Sequence, residues 1–253
     1  VKDCPVGIVS YGRKEGADVI INDAAMDLTG SKFELKDADG VTHSIKCLIP
    51  GSFNIENVTA AFLVCQKMGV PPEDIVSEIN EFPGIVGRSN IYHIIDTNSS
   101  VVIDYAHTPQ SLKNQLDLIR DNIGTKKLVC VFGCGGMKSM EKRPIMGAVA
   151  AKIADHVILT NDNPREEHPR KIIMDIIDGI RDLSSVEVYL DREEAIKRTL
   201  SNFPNSIILL AGKGNEDMMD IDGHEMPTSD FDILKRWIIQ NGFGICGYDD
   251  YVE

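Results

Sequence analysis

Val101-Val-Ile-Asp-Tyr-Ala-His-Thr-Pro109 is an apolar run that stops abruptly on a carboxylate, an imidazole and a proline. The apolar part, at 101–105, reads as a buried strand. Thr108 before Pro109 reads as a helix start, with a hydroxyl at the N-cap and proline in the first turn. A helical pattern over 109–123 follows. Downstream the same unit recurs: apolar runs at 128–134, 156–161, 186–190 and 206–211 alternate with helical patterns at 143–154, 169–182, 191–202 and 229–240. Strand and helix in strict alternation predict an α/β fold, a Rossmann-like, doubly wound and mostly parallel sheet. In such sheets ligands bind outside the carboxyl ends of the strands.

Upstream the rhythm differs. Strand-like pieces at 18–22, 32–36 and 41–49 are separated by turns such as Asp37-Ala-Asp-Gly40, which suits an antiparallel or mixed sheet. A helix is expected from near Asn54, with Val58, Ala61, Phe62 and Cys65 at helical spacing and Gly69 as its stop. A second follows Pro71-Pro72, with Glu73 and Asp74 where negative charge suits the helix dipole. Pro83-Gly84 through Gly87 breaks the chain. The expected organisation is one domain over 1–86, a second over 87–241, and a flexible tail over 242–253.

Composition narrows the function classes. Of 253 residues 43% are hydrophobic, enough to bury a core, so disordered and low-complexity readings fall away. With 26 Lys+Arg against 39 Asp+Glu the net charge is -13, which repels a nucleic-acid backbone yet leaves room for a local phosphate site. No apolar run approaches the roughly 20 residues of a membrane span, and no signal peptide is legible. Six cysteines are scattered without a CxxC pair, as in a reduced, cytoplasmic protein; Cys130 and Cys134 fall in a strand-like run. The chain opens Val-Lys-Asp without Met, so a piece of something longer is expected.

The strand ends carry the chemistry. The first ends Asp104-Tyr-Ala-His-Thr-Pro109 and the second Phe132-Gly-Cys-Gly-Gly136, followed by Lys138, Lys142 and Arg143. The third ends Thr160-Asn-Asp-Asn-Pro-Arg165 and the fifth Ala211-Gly-Lys-Gly-Asn-Glu216. Glycines beside cations let backbone N–H groups approach an anionic ligand. Each stretch alone has a plainer reading. Gly133, Gly135 and Gly136 suit a tight turn and miss the GxGxxG dinucleotide spacing, and Asn161 to Arg165 suits an Asx turn. Asp104 could cap the following helix, although Thr108 is better placed. His43, His93, His156, His168 and His224 stand alone and read as structural. Taken as a set, four polar strand ends on one crevice point to a ligand site.

Those segments, with Lys142-Arg-Pro-Ile-Met-Gly147, Gly51-Ser-Phe-Asn-Ile-Glu-Asn57 and Pro83-Gly-Ile-Val-Gly-Arg88, resemble the signatures of the Mur ligases in the same order. Within that family they are most similar to the enzymes that add the third residue of the peptidoglycan stem. The resemblance runs from about Gly51 to Asp230. It implies an ATP-dependent amide-bond ligase that phosphorylates the D-glutamyl carboxylate of a UDP-MurNAc-dipeptide and joins the acyl phosphate to the amine of a diamino acid. ATP and Mg2+ are the implied cofactors. Asn54, Asn57, Arg88, Asp104 and His107 would face the nucleotide, with Asn57 toward adenine, Arg88 toward phosphate and Asp104 toward ribose. Arg165 would grip the distal carboxylate of meso-diaminopimelate, with Asp162 and Asn163 beside it. Gly212 and Glu216 would take its distal ammonium end, and Lys138 would add a cation nearby.

Two departures keep alternatives open. Met137-Lys138 stands where the diaminopimelate enzymes usually carry Asp-Arg, and Asn215 where they usually carry His, so L-lysine or lanthionine remain alternative substrates. The family's Gly-Lys-Ser/Thr phosphate loop occurs nowhere in the chain, nor do the central-domain metal ligands. The expectation is therefore the tail of an ATPase domain plus a whole amino-acid-binding domain, inactive alone. A non-catalytic, ligase-derived binding module is the competing class. A Rossmann oxidoreductase rests only on the fold rhythm and the glycine run.

Overall fold

The computed structural model describes residues 7–37 and 39–247, which divide into two compact units between Gly84 and Ile85. In the first unit β1 (Tyr11–Gly12), β2 (Val19–Asp27), β3 (Gly30–Lys36) and β4 (Thr42–Cys47) form one sheet in that order. β1 runs parallel to β2 and the others pair antiparallel. Strand alternation turns Val19, Ile21, Phe33, Leu35, Ile45 and Cys47 inward. They pack with Ile55, Val58, Phe62 and Leu63 of α1 (Ser52–Lys67) and Ile75 of α2 (Pro72–Glu81).

The second unit holds β5 (Asn90–Ile94), β6 (Ser99–Asp104), α3 (Pro109–Asn122), β7 (Lys127–Phe132), α4 (Lys142–Ile153), β8 (His156–Leu159) and α5 (Pro169–Ile177). It continues with β9 (Val186–Val188), α6 (Arg192–Asn202), β10 (Ser206–Ala211), the hairpin β11 (Met218–Ile221) and β12 (His224–Pro227), α7 (Asp230–Asn241) and β13 (Ile245–Gly247). The main sheet has the order β13-β5-β6-β10-β7-β8-β9. β6 to β10 are mutually parallel, whereas β5 and β13 are antiparallel additions at one edge. β10 comes last among the parallel strands yet lies between the first two.

The parallel strands β6, β7, β8 and β10 are buried on both faces, as near-continuous apolar runs require, whereas β9 at the edge is not. On one face Val101, Ile103, Val129, Val131, Ile208 and Leu210 pack with Ile196 and Leu200 of α6 and Leu234 and Trp237 of α7. α3, α4 and α5 pack side by side in the same unit and bury Leu112, Leu116, Met146 and Ile176.

Several boundaries differ from the sequence reading. β7 stops at Phe132 and β8 at Leu159, where their pairing ends, so Cys134 lies beyond the strand in a buried loop. β9 stops at Val188. α5 stops at Ile177 rather than near 182; just past its end Gly179 passes so close to the Pro144 carbonyl that a Cβ would overlap it. β5, β13 and the β11–β12 hairpin had no signal. Within the tail expected over 242–253, Gly242 closes α7 in the left-handed conformation (φ 68) and Ile245–Gly247 pairs with β5. Residues 248–253 and Cys4 lie outside the described residues. The described cysteines Cys47, Cys65, Cys130, Cys134 and Cys246 are all unpaired thiols. No helix among the described residues is long and apolar enough to cross a membrane.

Candidate functional site

The parallel register brings the strand ends level. Ala211 of β10 lies opposite Asp104 of β6, Leu210 opposite Val131 of β7, and Phe132 opposite Leu159 of β8. The four polar segments therefore leave the sheet together. Thr108 caps α3 in a capping box with Ser111, with Pro109 in the first turn, as the sequence predicts. That leaves Asp104 free of capping. Its Oδ2 accepts from Ser89 N (2.8 Å), Ser89 Oγ (3.3 Å) and Gln115 Nε2 (2.7 Å), and its Oδ1 from Ala106 N (2.8 Å). Burial pushes its pKa up while these donors pull the other way. Asp104 thus organises the strand end from beneath, and its oxygens already have internal donors.

Above it the Tyr105 ring carries two neighbours. The Arg88 guanidinium stacks 4.4 Å from its centroid and the His107 ring lies 4.6 Å away, edge-on. Arg88 and His107 are both exposed. The Tyr105 hydroxyl donates to Glu216 Oε1 (3.3 Å), and Glu216 Oε2 accepts from Asn163 Nδ2 (2.9 Å) and lies 3.5 Å from the buried Lys213 ammonium. Burial and the Glu216 carboxylate raise the Tyr105 pKa. Asn163 also donates to Asp162 Oδ1 (3.2 Å) and accepts from Asp220 N (2.9 Å). Burial pushes the Asp162 carboxyl up, against the pull of Arg192 and Lys213.

Arg165 sits on the next turn of chain. Its Nη1 donates to Gly136 O (2.9 Å) and Asn163 O (3.3 Å), its Nε lies 4.0 Å from Asp220 Oδ2, and among the described residues its Nη2 has no partner. Gly212 (φ 110) passes beneath Asp162, and a Cβ there would sit 2.6 Å from Asp162 Oδ2. Met137, Asn163 and Arg165 all have positive φ (53, 42 and 52), which side chains other than glycine rarely adopt and which gathers at ligand sites.

The structure thus brings Arg88, His107, Asp162, Asn163, Arg165, Gly212 and Glu216 to one rim and sets Asp104 beneath it. Lys138 is exposed on the loop after β7 and has no side-chain hydrogen bond among the described residues. Asn54 and Asn57 belong to the first unit, in the opening turns of α1, where Asn57 Nδ2 donates to Asn54 Oδ1 (3.2 Å) and Asn54 Nδ2 to Pro50 O (2.8 Å). A guanidinium with a free Nη and a carboxylate, both bonded to Asn163, suit a ligand end that carries a carboxylate and an ammonium together. No group of three His, Cys, Asp or Glu side chains among the described residues could hold a metal ion.

The supporting roles of several charged residues were not read from sequence, although Arg143 was named in the basic run after the second strand and Lys213 falls within the Ala211–Glu216 segment. Arg143, fully buried, donates to Glu167, Asp175 and the Gly135 carbonyl. Arg192 grips Asp230 through two 2.7 Å bonds and donates to the carbonyls of Asn161 (3.3 Å) and Ala211 (3.1 Å). Lys213 is buried and donates to Met218 O (2.6 Å). Each is a charged residue flanking a glycine-rich or apolar run. Nothing in a single sequence separates such a residue from a solvated one.

Comparison with known proteins agrees with this geometry. The family model described as "Mur ligase, glutamate ligase domain" matches residues 87–214. The UDP-N-acetylmuramoyl-L-alanyl-D-glutamate--2,6-diaminopimelate ligase of Synechococcus elongatus is 40% identical over 214 residues, covering 84% of this chain and 43% of that protein. The Aquifex aeolicus protein of the same name is 36% identical over 243 residues, covering 96% of this chain and 48% of its own length. A solved structure of a ligase of that name superposes with TM-score 0.60 at 33% identity, over 92% of this chain and 48% of the other. The Thermotoga maritima UDP-N-acetylmuramate-alanine ligase shares the fold, with TM-score 0.69 at 20% identity, over 93% and 48%. The chain spans about half the length of the curated relatives it matches. A domain-length family match, laid over a rim built from the same strand-end segments, settles the kinship: this chain belongs to the Mur ligase family.

Proposed function

We propose that the chain is the amino-acid-binding side of an ATP-dependent ligase of peptidoglycan precursor synthesis. The full reaction joins meso-diaminopimelate to the D-glutamyl carboxylate of a UDP-MurNAc-dipeptide. The observation that carries this reading is the pairing of Arg165, with its free Nη2, and Glu216 on a common Asn163. Arg165 would hold the distal carboxylate, and Glu216 with Asp162 the distal ammonium. L-Lysine lacks that carboxylate and would leave the guanidinium unmatched, a loss that discriminates strongly. The names of the relatives support the choice of diaminopimelate.

For ATP, the exposed Arg88 and His107 around Tyr105 fit one edge of a nucleotide, with Arg88 apt for phosphate. Asn54 and Asn57 are proposed as nucleotide-binding residues of the first unit, taken by itself. Asp104 would touch ribose only by sharing Oδ1, which has a single internal donor. The phosphates themselves would need a glycine-rich loop that these residues do not supply, so the chain alone is expected to form no product. Mg2+, when bound in such ligases, would screen phosphoryl charge; among the described residues no group of three His, Cys, Asp or Glu side chains is placed to hold it. A cytoplasmic location belongs to the same proposal, since the unpaired thiols suit a reducing compartment.

Calorimetric titration with meso-diaminopimelate, L-lysine and meso-lanthionine tests the reading. The expected result is binding of the distal-carboxylate ligands, lost in Arg165→Ala. Preference for lysine would overturn the role of Arg165. Binding of none would overturn the claim that these residues form the site by themselves.

A further inference from the structure

Arg143 has no place in the ligand site, yet it is the largest fully buried side chain of the described residues. It projects from the first turn of α4 between two loops. Nη1 donates to Glu167 Oε2 (2.9 Å) and Asp175 Oδ2 (2.7 Å), and Nη2 to Glu167 Oε1 (2.9 Å) and Gly135 O (3.2 Å). Its Nε is buried without a partner, so the guanidinium is aimed at its two Nη ends at the expense of the third. Glu167 in turn accepts from Met137 N (2.5 Å). One part-buried ion pair thus holds the loop after β7 at both Gly135 and Met137, the latter in a backbone conformation a methionine does not choose.

That loop is what Arg165 leans on. Gly136 N donates to Asn163 O (3.0 Å), and Arg165 Nη1 donates back to Gly136 O. A Cβ at Gly136 would overlap the Pro164 carbonyl and one at Gly135 would press on Arg165 Nη1, so the two segments touch along their backbones. Asp175 meets the same guanidinium but bonds to neither loop.

We propose that the Arg143–Glu167 pair is the positioning element of this site: it clamps the Gly135–Lys138 loop against the Asn163–Arg165 segment and thereby fixes the direction in which Arg165 offers its guanidinium. The pair acts through backbone, not through ligand. Its consequence for the amino acid rests on the function proposed above; the clamp itself does not.

The test compares Glu167→Gln with Asp175→Asn, each removing one negative charge from the same guanidinium. Amide hydrogen exchange at Gly136, Met137 and Arg165 is read first, with no ligand present. Glu167→Gln is expected to speed exchange there by roughly tenfold or more, as a charge-assisted bond to a local amide is lost, and to leave β10 amides protected. Asp175→Asn is expected to leave those loop amides near the wild-type rate. Equal effects from the two variants, or no effect from Glu167→Gln, would overturn the proposal. Titration with meso-diaminopimelate is read second: Glu167→Gln should weaken binding roughly tenfold, where a charged hydrogen bond contributes about that factor, and Asp175→Asn far less. Equal affinities in the two variants would overturn the link to Arg165. Failure of the wild type to bind would instead overturn the function reading, while the exchange data still decide the clamp.

Discussion

Glu167 shows how much one carboxylate can report. The Arg143 guanidinium, with the Met137 amide, holds its carboxyl down at about 2 from an ordinary 4.5. A depressed native pKa contributes stability that is present above 4.5 and lost as pH falls through about 2. Acid unfolding followed by circular dichroism is therefore expected to show a destabilisation between those values, which Glu167→Gln flattens. Asp104 and Asp162 have the opposite sign: burial raises their pKa values, so each costs stability as pH rises through the ordinary value. Gly212→Ala is expected to destabilise the fold by about 1–3 kcal/mol, since it strains a left-handed backbone and presses a methyl on Asp162. Thermal melts check it. The strand-end segments stood out because four polar ends recur in one sheet, although each alone suits a turn. The basic run holding Arg143 was visible too, but its burial was not, because that depends on Glu167 and Asp175, which come from elsewhere in the sequence and carry no local mark.

Among the elements, α6 and α7 act as one piece. Arg192 in the first turn of α6 and Asp230 in the first turn of α7 are both buried and paired bidentately, and Arg192 also fixes the carbonyls of Asn161 and Ala211. Arg192→Met would strand the Asp230 carboxylate, and a loss of about 3–5 kcal/mol is expected in chemical denaturation. Adding Asp230→Leu should recover much of that stability while the loop at Asn161 stays loosened, visible as faster exchange there. Long elements were readable: every helix of the second unit begins within a residue or two of its sequence-derived start, because N-caps such as Thr108 and Asp191 and the first-turn Pro169 act locally. β5, β13 and the β11–β12 hairpin were not, because three to five residues carry no periodicity and their strand character is imposed by a neighbour's edge.

At the scale of the whole molecule, each unit carries its own apolar core, Phe33, Leu35 and Phe62 in one and Val131, Leu210 and Trp237 in the other. Residues 85–253 expressed alone are expected to melt cooperatively and to bind meso-diaminopimelate as the full chain does; a fragment without a cooperative transition would contradict this. The sequence reading reached the strand–helix rhythm but not the strand order, since periodicity says what an element is and only long-range pairing says where it lies. That order has a consequence for the chain as it is made. β6 and β7 leave the ribosome well before β10, the strand that joins them, so for roughly seventy residues of synthesis, from Phe132 to Ser206, two apolar strands lack the partner that lies between them. Nascent chains halted before Ser206 should therefore need a chaperone to stay out of aggregates, whereas chains halted after Ala211 should be the first to resist protease.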